Sequence, residues 1–241
     1  MTVQHSLSPP QSARWHPAIA APAQHVEIFA ASGEGAGAAM ALAFARDHLR
    51  AAAGDPVADV PDERAWLWVQ DKAAMRLSGR PYRPGLPASL RHRLVHVSAD
   101  KPEDALFAIE EGLRCRDLAF VIGEIAGNPR ALDFTASRRL SLAVERHGVP
   151  LWLVRLDAAR DLGSARMRWQ ACSSPSPWPH RNPRAPGAAT WQAELFRARN
   201  HPPGEWTLRD DGGTLHTDAP HHGDLVRQPG DRSLAPQPSR A

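Results

Sequence analysis

An α/β fold built on a mostly parallel sheet is the class this sequence predicts, and three observations predict it. Short continuous apolar runs recur along the chain: "VEIFA" at 26–30, "AWLWVQ" at 65–70, "RLVHVSA" at 93–99, "LAFVIGEI" at 118–125 and "VPLWLVRL" at 149–156. Stretches of helical period separate several of them, the alternation expected of a parallel sheet covered on both faces. Finally, 241 residues with 42% hydrophobic composition suffice to bury one substantial core.

The elements follow in order. Residues 1–24, with "SPPQ" and "HPAIAAPAQ", lack periodicity and read as a flexible leader. The first strand runs into "GAAMALAFARDHLRAAAG", where Met40, Leu42, Phe44, Ala45 and Leu49 share the inner side of a helix that ends near Gly54. "KPEDALFAIEEGLRC" predicts a second helix with Pro102 in its first turn, and "DFTASRRLSLAVERHG" a third, stopped by Gly148. After Arg155 the pattern changes to strand-like alternation: "SARMRWQAC", "ATWQAELFRAR" and "GEWTLRD", expected to pair antiparallel at the sheet edge. The folded α/β domain is therefore expected to span 25–209, followed by a disordered tail over 210–241. His216, His221 and His222 lie in that tail without a scaffold, so a solvated tail is favoured over metal binding.

Composition narrows the function classes. No apolar run is long enough to span a membrane and the opening residues do not read as a secretory signal, which predicts a cytoplasmic address. Cys115 and Cys172, the two cysteines, lack metal-ligand spacing. The formal charge is only +3, yet Lys72 and Lys101 are the sole lysines among 29 basic residues, so the rest are arginines, and the isoelectric point is about 9.4. Arginine forks onto phosphate and carboxylate and stacks on flat rings, which suits nucleic acid or an acidic protein partner; compositional bias is the alternative.

The turn "AASGEGAG" sits where an α/β protein places a phosphate loop. Laying G-x-x-x-x-G-K-[ST] over it puts the first glycine at Ala30, the second at Gly35, the lysine at Ala36 and the hydroxyl at Gly37. Three of the four diagnostic positions have lost their chemistry, Glu34 would repel a phosphate, and no lysine precedes Lys72. The expectation is a strand-to-helix turn with no bound cofactor.

"VEIFAASGEGAGAAMALAFA" resembles the phosphate-loop region of the RecA recombinases with its motif eroded. The stretches "DFTASRRLSLAVERHGVPLWLVRL", "SARMRW" and "TWQAELFRARNHPPGEW" resemble the ImuA family, RecA-like and SulA-related proteins of the ImuA–ImuB mutagenesis cassette, over roughly 25–209. The resemblance implies a RecA-like core and an accessory role in SOS-induced, error-prone translesion DNA synthesis. It implies as partners an ImuB-like Y-family protein, an error-prone C-family DNA polymerase subunit and RecA itself, with weak DNA binding also open. The position of a RecA-type catalytic carboxylate falls at about Gln70, beside Asp71, and the metal-binding acid at Gly123 or Glu124. A degenerate, non-catalytic ATPase fold is expected; an ATPase with a differently built site and a SulA-type division inhibitor are the alternatives.

Contact surfaces then become the candidates. Arg138 and Arg139 share the "TASRRL" helix, with a solvated face as the alternative. Arg166 and Arg168, and likewise Arg197 and Arg199, are spaced by two, placing each pair on one face of its strand with Trp169 and Trp191 opposite. By the resemblance, Arg197 and Arg199 are candidates for touching another RecA-like chain; DNA phosphate and a salt-bridged edge are the other readings. Trp66, Trp68 and Trp152 are expected in the core, whereas Trp178 lies in a Pro-rich connection as a candidate partner anchor.

Overall fold

The computed structural model describes residues 24–53, 62–177, 182, 185–211 and 214–217. Five apolar runs became strands β1 (His25–Ala30), β2 (Ala65–Asp71), β3 (Leu94–Ala99), β4 (Leu118–Ala126) and β5 (Leu151–Leu156). Helix α1 (Ala36–Ala53) follows β1; α2 (Lys72–Ser78) and α3 (Ala88–Arg91) lie between β2 and β3; α4 (Pro102–Arg114) precedes β4; α5 (Phe134–His147) precedes β5. Strands β6 (Met167–Ser173), β7 (Ala189–Ala198), β8 (Gly204–Asp211) and β9 (Thr214–Thr217) complete the sheet, in the order β3-β2-β4-β5-β1-β6-β7-β8-β9. The fold is α/β, parallel from β3 through β6 and antiparallel from β6 through β9. None of the described helices is long and apolar enough to cross a membrane.

Local chemistry sets the helix ends. Asp71 caps α2 by accepting from Ala74 N–H at 2.6 Å, and Asp133 caps α5 by accepting from Ala136 N–H at 2.7 Å. Gly148 ends α5 in the left-handed conformation, φ 76°. Two apolar layers cover the sheet. On one face α1, with Leu86 and Leu90, shares an apolar cluster with Ile28, Trp66, Trp68, Trp152, Trp169 and Trp191; on the other, residues of α4 and α5 cluster with Leu67, Val69, Val121, Leu151 and Leu153. The core tryptophans are buried as expected, linked through the stacked Trp66–Phe120 pair at 5.0 Å and the edge-on Phe44–Trp169 pair at 5.6 Å.

Two features depart from the sequence expectations. The boundary placed at 210 falls inside β8, and β9 follows it: Leu208 and Leu215 are buried, while Arg46 and Arg50 of α1 reach Asp210 at 2.7 Å and Thr214 at 2.6 Å. Trp206 and Leu208 of β8, Leu215 of β9 and the two arginine tethers anchor a segment too polar to announce itself. Trp178, His221 and His222 lie outside the described residues, as do residues 1–23 of the leader. Finally, β6 pairs antiparallel only with β7; on its other side it extends the parallel sheet from β1.

That parallel extension has an unusual connection. The chain passes from β5 to β6 over β1 through segment 157–166, without a helix. A loop this thin offers no broad apolar face, so the side of β1 beneath it carries His25, Glu27 and Phe29 instead of aliphatic residues. Glu27 and Arg168 form a buried ion pair at 2.6 Å, and a second Arg168 nitrogen donates to Asp161 C=O at 2.6 Å. Gly163 lies so close that a Cβ there would meet the Glu27 carboxylate at 3.0 Å.

Removing one partner of such a pair leaves a buried charge uncompensated. Arg168→Ala should lower the unfolding free energy by roughly 3–5 kcal/mol in urea denaturation, whereas the paired change Glu27→Leu, Arg168→Met should recover most of it.

Candidate functional site

The turn after β1, at the strand-to-helix position where an α/β protein places a phosphate loop, is flanked by two carboxylates. Asp157, in the left-handed region at φ 50° just after β5, accepts from the backbone N–H of Ser32 at 2.9 Å. Glu34 accepts from the backbone N–H of Ser173 at the end of β6, 2.5 Å away. These hydrogen bonds hold both carboxyls below their ordinary pKa, so both stay ionised at neutral pH. A phosphate entering here would meet two fixed negative charges and lose Ser32 N–H as a donor.

The positions that would carry lysine and hydroxyl are structural. Ala36 is buried at the start of α1, and a Cβ on Gly37 would lie 2.8 Å from both Ala30 Cβ and Val154 Cγ1. Gly37 thus lets α1 approach the sheet closely, the use of glycine that a close backbone approach requires.

The ends of β2 and β4 bring Gln70 and Glu124 into register. Glu124 is buried; its Oε2 accepts from Trp68 Nε1 at 3.2 Å and from Gln70 Nε2, while its Oε1 has no hydrogen-bond partner among the described residues. Gln70 also accepts from His96 Nε2 at 2.9 Å and donates to Gly79 C=O at 2.9 Å. Burial pushes Glu124 up to about 7, against the opposing hydrogen bonds from Gln70 and Trp68. The position that the resemblance gave to a metal-binding acid is thus engaged by side-chain donors. Asp71, one residue from Gln70, is occupied as the α2 cap.

Four of the six nominated arginines converge. Arg138 from α5, Arg166 before β6, and Arg197 and Arg199 at the end of β7 line one open hollow of about 110 Å³, with Phe134 and the Gly163–Ala165 backbone completing it. Hydrogen bonds fix its walls. Ser164 N–H donates to Ser137 Oγ at 2.8 Å, Ser141 Oγ donates to Ser164 C=O at 3.1 Å, Arg166 N–H donates to His25 C=O at 2.9 Å, and Arg199 N–H donates to Arg166 C=O at 3.2 Å. Burial lowers His25 to about 4, so this ring is neutral, and its Nδ1 meets Ser141 Oγ at 2.9 Å.

A β-bulge turns the end of β7 into this hollow. Leu195 pairs with Trp169 on the α1 side, and plain alternation would carry Arg197 and Arg199 to that side too. The extra residue Phe196 shifts the register, and Arg197 comes opposite Arg168 on the α5 side. Phe196 itself lies 5.6 Å from the Phe29 ring, and the Arg168 guanidinium is 5.0 Å from one ring centre and 5.4 Å from the other.

Two nominated arginines lie elsewhere. Arg168 is buried in the Glu27 pair and cannot serve as a surface contact; period-two spacing identified its face but not the carboxylate waiting there. Arg139, adjacent to Arg138, faces Glu110 of α4 at 3.5 Å. In the hollow, Arg166 bonds Glu145 at 2.9 Å, whereas Arg138, Arg197 and Arg199 have no carboxylate partner among the described residues. Trp169 and Trp191 do lie opposite the basic face, but for Trp191, an even six residues before Arg197, regular alternation would have put it on the same face and only the Phe196 bulge separates them; Phe29 and Phe196 lie on the basic side.

Because the folded pKa of Glu124 exceeds its unfolded value, the stability this group contributes is fully present below about pH 4.5 and is lost as pH rises to about 7. Glu124→Gln should therefore be more stable than the parent at pH 8, by on the order of 3 kcal/mol. The advantage should fade towards pH 4.5 in urea titrations at each pH.

No family model matches the chain. It is 31% identical over 182 residues to Protein ImuA of Caulobacter vibrioides strain NA1000 / CB15N, and equally to Protein ImuA of strain ATCC 19089 / CIP 103742 / CB 15. Each alignment covers 71% of this chain and 69% of the relative. With the α/β fold and the stretches quoted above, that similarity shows that the chain belongs to the ImuA family.

Proposed function

We propose that this chain is a non-catalytic accessory protein of an ImuA–ImuB mutagenesis cassette, acting in damage-induced, error-prone translesion synthesis through contacts and not through nucleotide turnover. The observation that carries the non-catalytic part is the turn after β1. Ser32 N–H is held by Asp157, Glu34 is fixed at its rim, and Ala36 and Gly37 are packed against the sheet. An ATPase of this architecture needs open amides, a lysine and a hydroxyl at those positions.

In this reading the contacts are an ImuB-like Y-family protein, an error-prone C-family polymerase subunit and RecA. The exposed arginines of the hollow supply a contact surface, with residues 25–217 as the RecA-like unit and the cytoplasm as the setting. Membership of the ImuA family supports the cassette; the residues of the turn support the absence of hydrolysis.

Thermal unfolding with and without millimolar magnesium-ATP should show no saturable, nucleotide-specific rise. A ligand at about a hundred times its Kd would stabilise the protein by about 2.7 kcal/mol, so such a rise would overturn the reading. The double change Ala36→Lys, Gly37→Thr should not create nucleotide binding and should destabilise the chain by about 1–3 kcal/mol, because the new Cβ overpacks against Ala30 and Val154. Co-purification of the ImuB-like protein from damaged cells should accompany the full chain, and its absence would sink the accessory role.

A further inference from the structure

We propose that the arginine hollow binds a single-stranded nucleic-acid chain, with Arg138, Arg166, Arg197 and Arg199 holding phosphodiesters and Phe134 stacking on a base. The inference rests on the contact-surface reading above and names its ligand.

Charge is the first argument. Three arginines from two separate elements point into one concavity without a carboxylate partner among the described residues, and no carboxylate lines it. Several arginines outside the hollow are ion-paired, Arg46 with Asp210, Arg64 with Asp62, Arg114 with Glu110 and Glu111, and Arg160 with Glu194, while others such as Arg76, Arg80 and Arg130 stand singly with no ion pair among the described residues. What sets the hollow apart is the convergence of guanidiniums on one concavity with no carboxylate in its lining, which concentrates positive potential where an anion can approach, and guanidinium forks match phosphate oxygens.

Size is the second. At about 110 Å³ the hollow falls well below the roughly 300–1,000 Å³ of pockets that enclose small ligands. It suits the phosphate of a polymer that continues across the surface on either side.

Phe134 is the third. Its ring is 50% exposed in the first turn of α5, one helical turn before Arg138, and it lines the same hollow. An exposed ring beside a phosphate-binding row is the pairing that single-strand binders use, because an unpaired base can turn onto it whereas a base in a duplex cannot. An acidic peptide would use the guanidiniums but leave the ring without a specific role.

Fluorescence anisotropy on the full chain with labelled oligo-dT of about 16 nucleotides tests this, alongside oligo-rU and a duplex of the same length. Saturable oligo-dT binding is expected, with log affinity falling against log salt between about 50 and 200 mM with a slope of about −2 to −3, the value for three or four phosphate contacts. The variant Arg138→Gln, Arg197→Gln, Arg199→Gln should lose at least about tenfold in affinity and flatten the slope by about 2. Phe134→Ala should weaken binding by about fivefold or more without changing the slope. Arg139→Gln, an equal charge change on the adjacent residue, should leave binding within about twofold. Equal binding of oligo-rU supports the phosphodiester chain as ligand, and binding confined to oligo-dT supports DNA as its source.

Tighter binding to the duplex, or an undiminished triple variant, would overturn the proposal. If oligonucleotides do not bind but the triple variant loses the ImuB-like protein in co-purification, the nucleic-acid inference fails while the contact surface stands. If neither responds, both fail.

Discussion

The ion pair between Glu27 and Arg168 is the constraint around which the rest of this molecule is arranged. Strand β6 joins the parallel sheet beside β1 without a helix to cover the step, because the β5–β6 connection is only segment 157–166. A helix would have laid apolar side chains on β1. The thin crossover cannot, so charge and polarity fill the space: Glu27, Arg168, Arg155 and Asp161 form one network beneath it, with Asp161 3.5 Å from each arginine. Burying ions costs several kcal/mol each, which close geometry and further hydrogen bonds must offset. Arg168 finds them in Glu27 and Asp161 C=O, with the rings of Phe29 and Phe196 near its guanidinium.

From that network the arginine hollow follows. Holding the crossover flat on β1 fixes Gly163, Ser164 and Ala165 against α5 through Ser137 and Ser141, and delivers Arg166 to the hollow's rim. The Phe196 bulge serves both places. It sets an aromatic ring near Arg168 on the buried side, and the same extra residue rotates Arg197 to the face that carries Arg138. A regular β7 would lose the ring and send the arginines to the α1 side.

Much of the fold was legible because it rests on apolar runs. The first five strands, α1, α4 and α5 follow from continuous hydrophobic segments separated by helical period, and Asp133 and Gly148 mark the ends of α5. Helices α2 and α3, seven and four residues long, are too short to show a helical period; β9 rests on Leu215 and on tethers from α1. Glu27 sits in "VEIFA" as one acid in an apolar strand, and nothing local says that its partner lies 141 residues away. That the turn lacks the lysine and hydroxyl of a phosphate loop could be read directly, since it is a matter of which residues are absent. That Asp157 and Glu34 bond the amides of Ser32 and Ser173 could not, because each pairing joins residues far apart in sequence.

The loop and the hollow express opposite treatments of charge. A working phosphate loop keeps backbone donors open for a ligand that arrives later, and leaves the empty site with unsatisfied polar groups. Here the donor at Ser32 is closed by Asp157, Glu34 ties the turn to β6, and Gly37 draws α1 tightly onto the sheet. The turn is thereby tied to the ends of β5 and β6. At the hollow, like charges stand together with one recorded carboxylate partner, Glu145 on Arg166, so their mutual repulsion works against the folded state. Solvent screening keeps that repulsion small at an exposed site, but it contributes nothing favourable to folding. Stability therefore accounts for the closed loop and gives no reason for the open cluster, and an arriving polyanion supplies the reason by neutralising what the fold leaves unpaired.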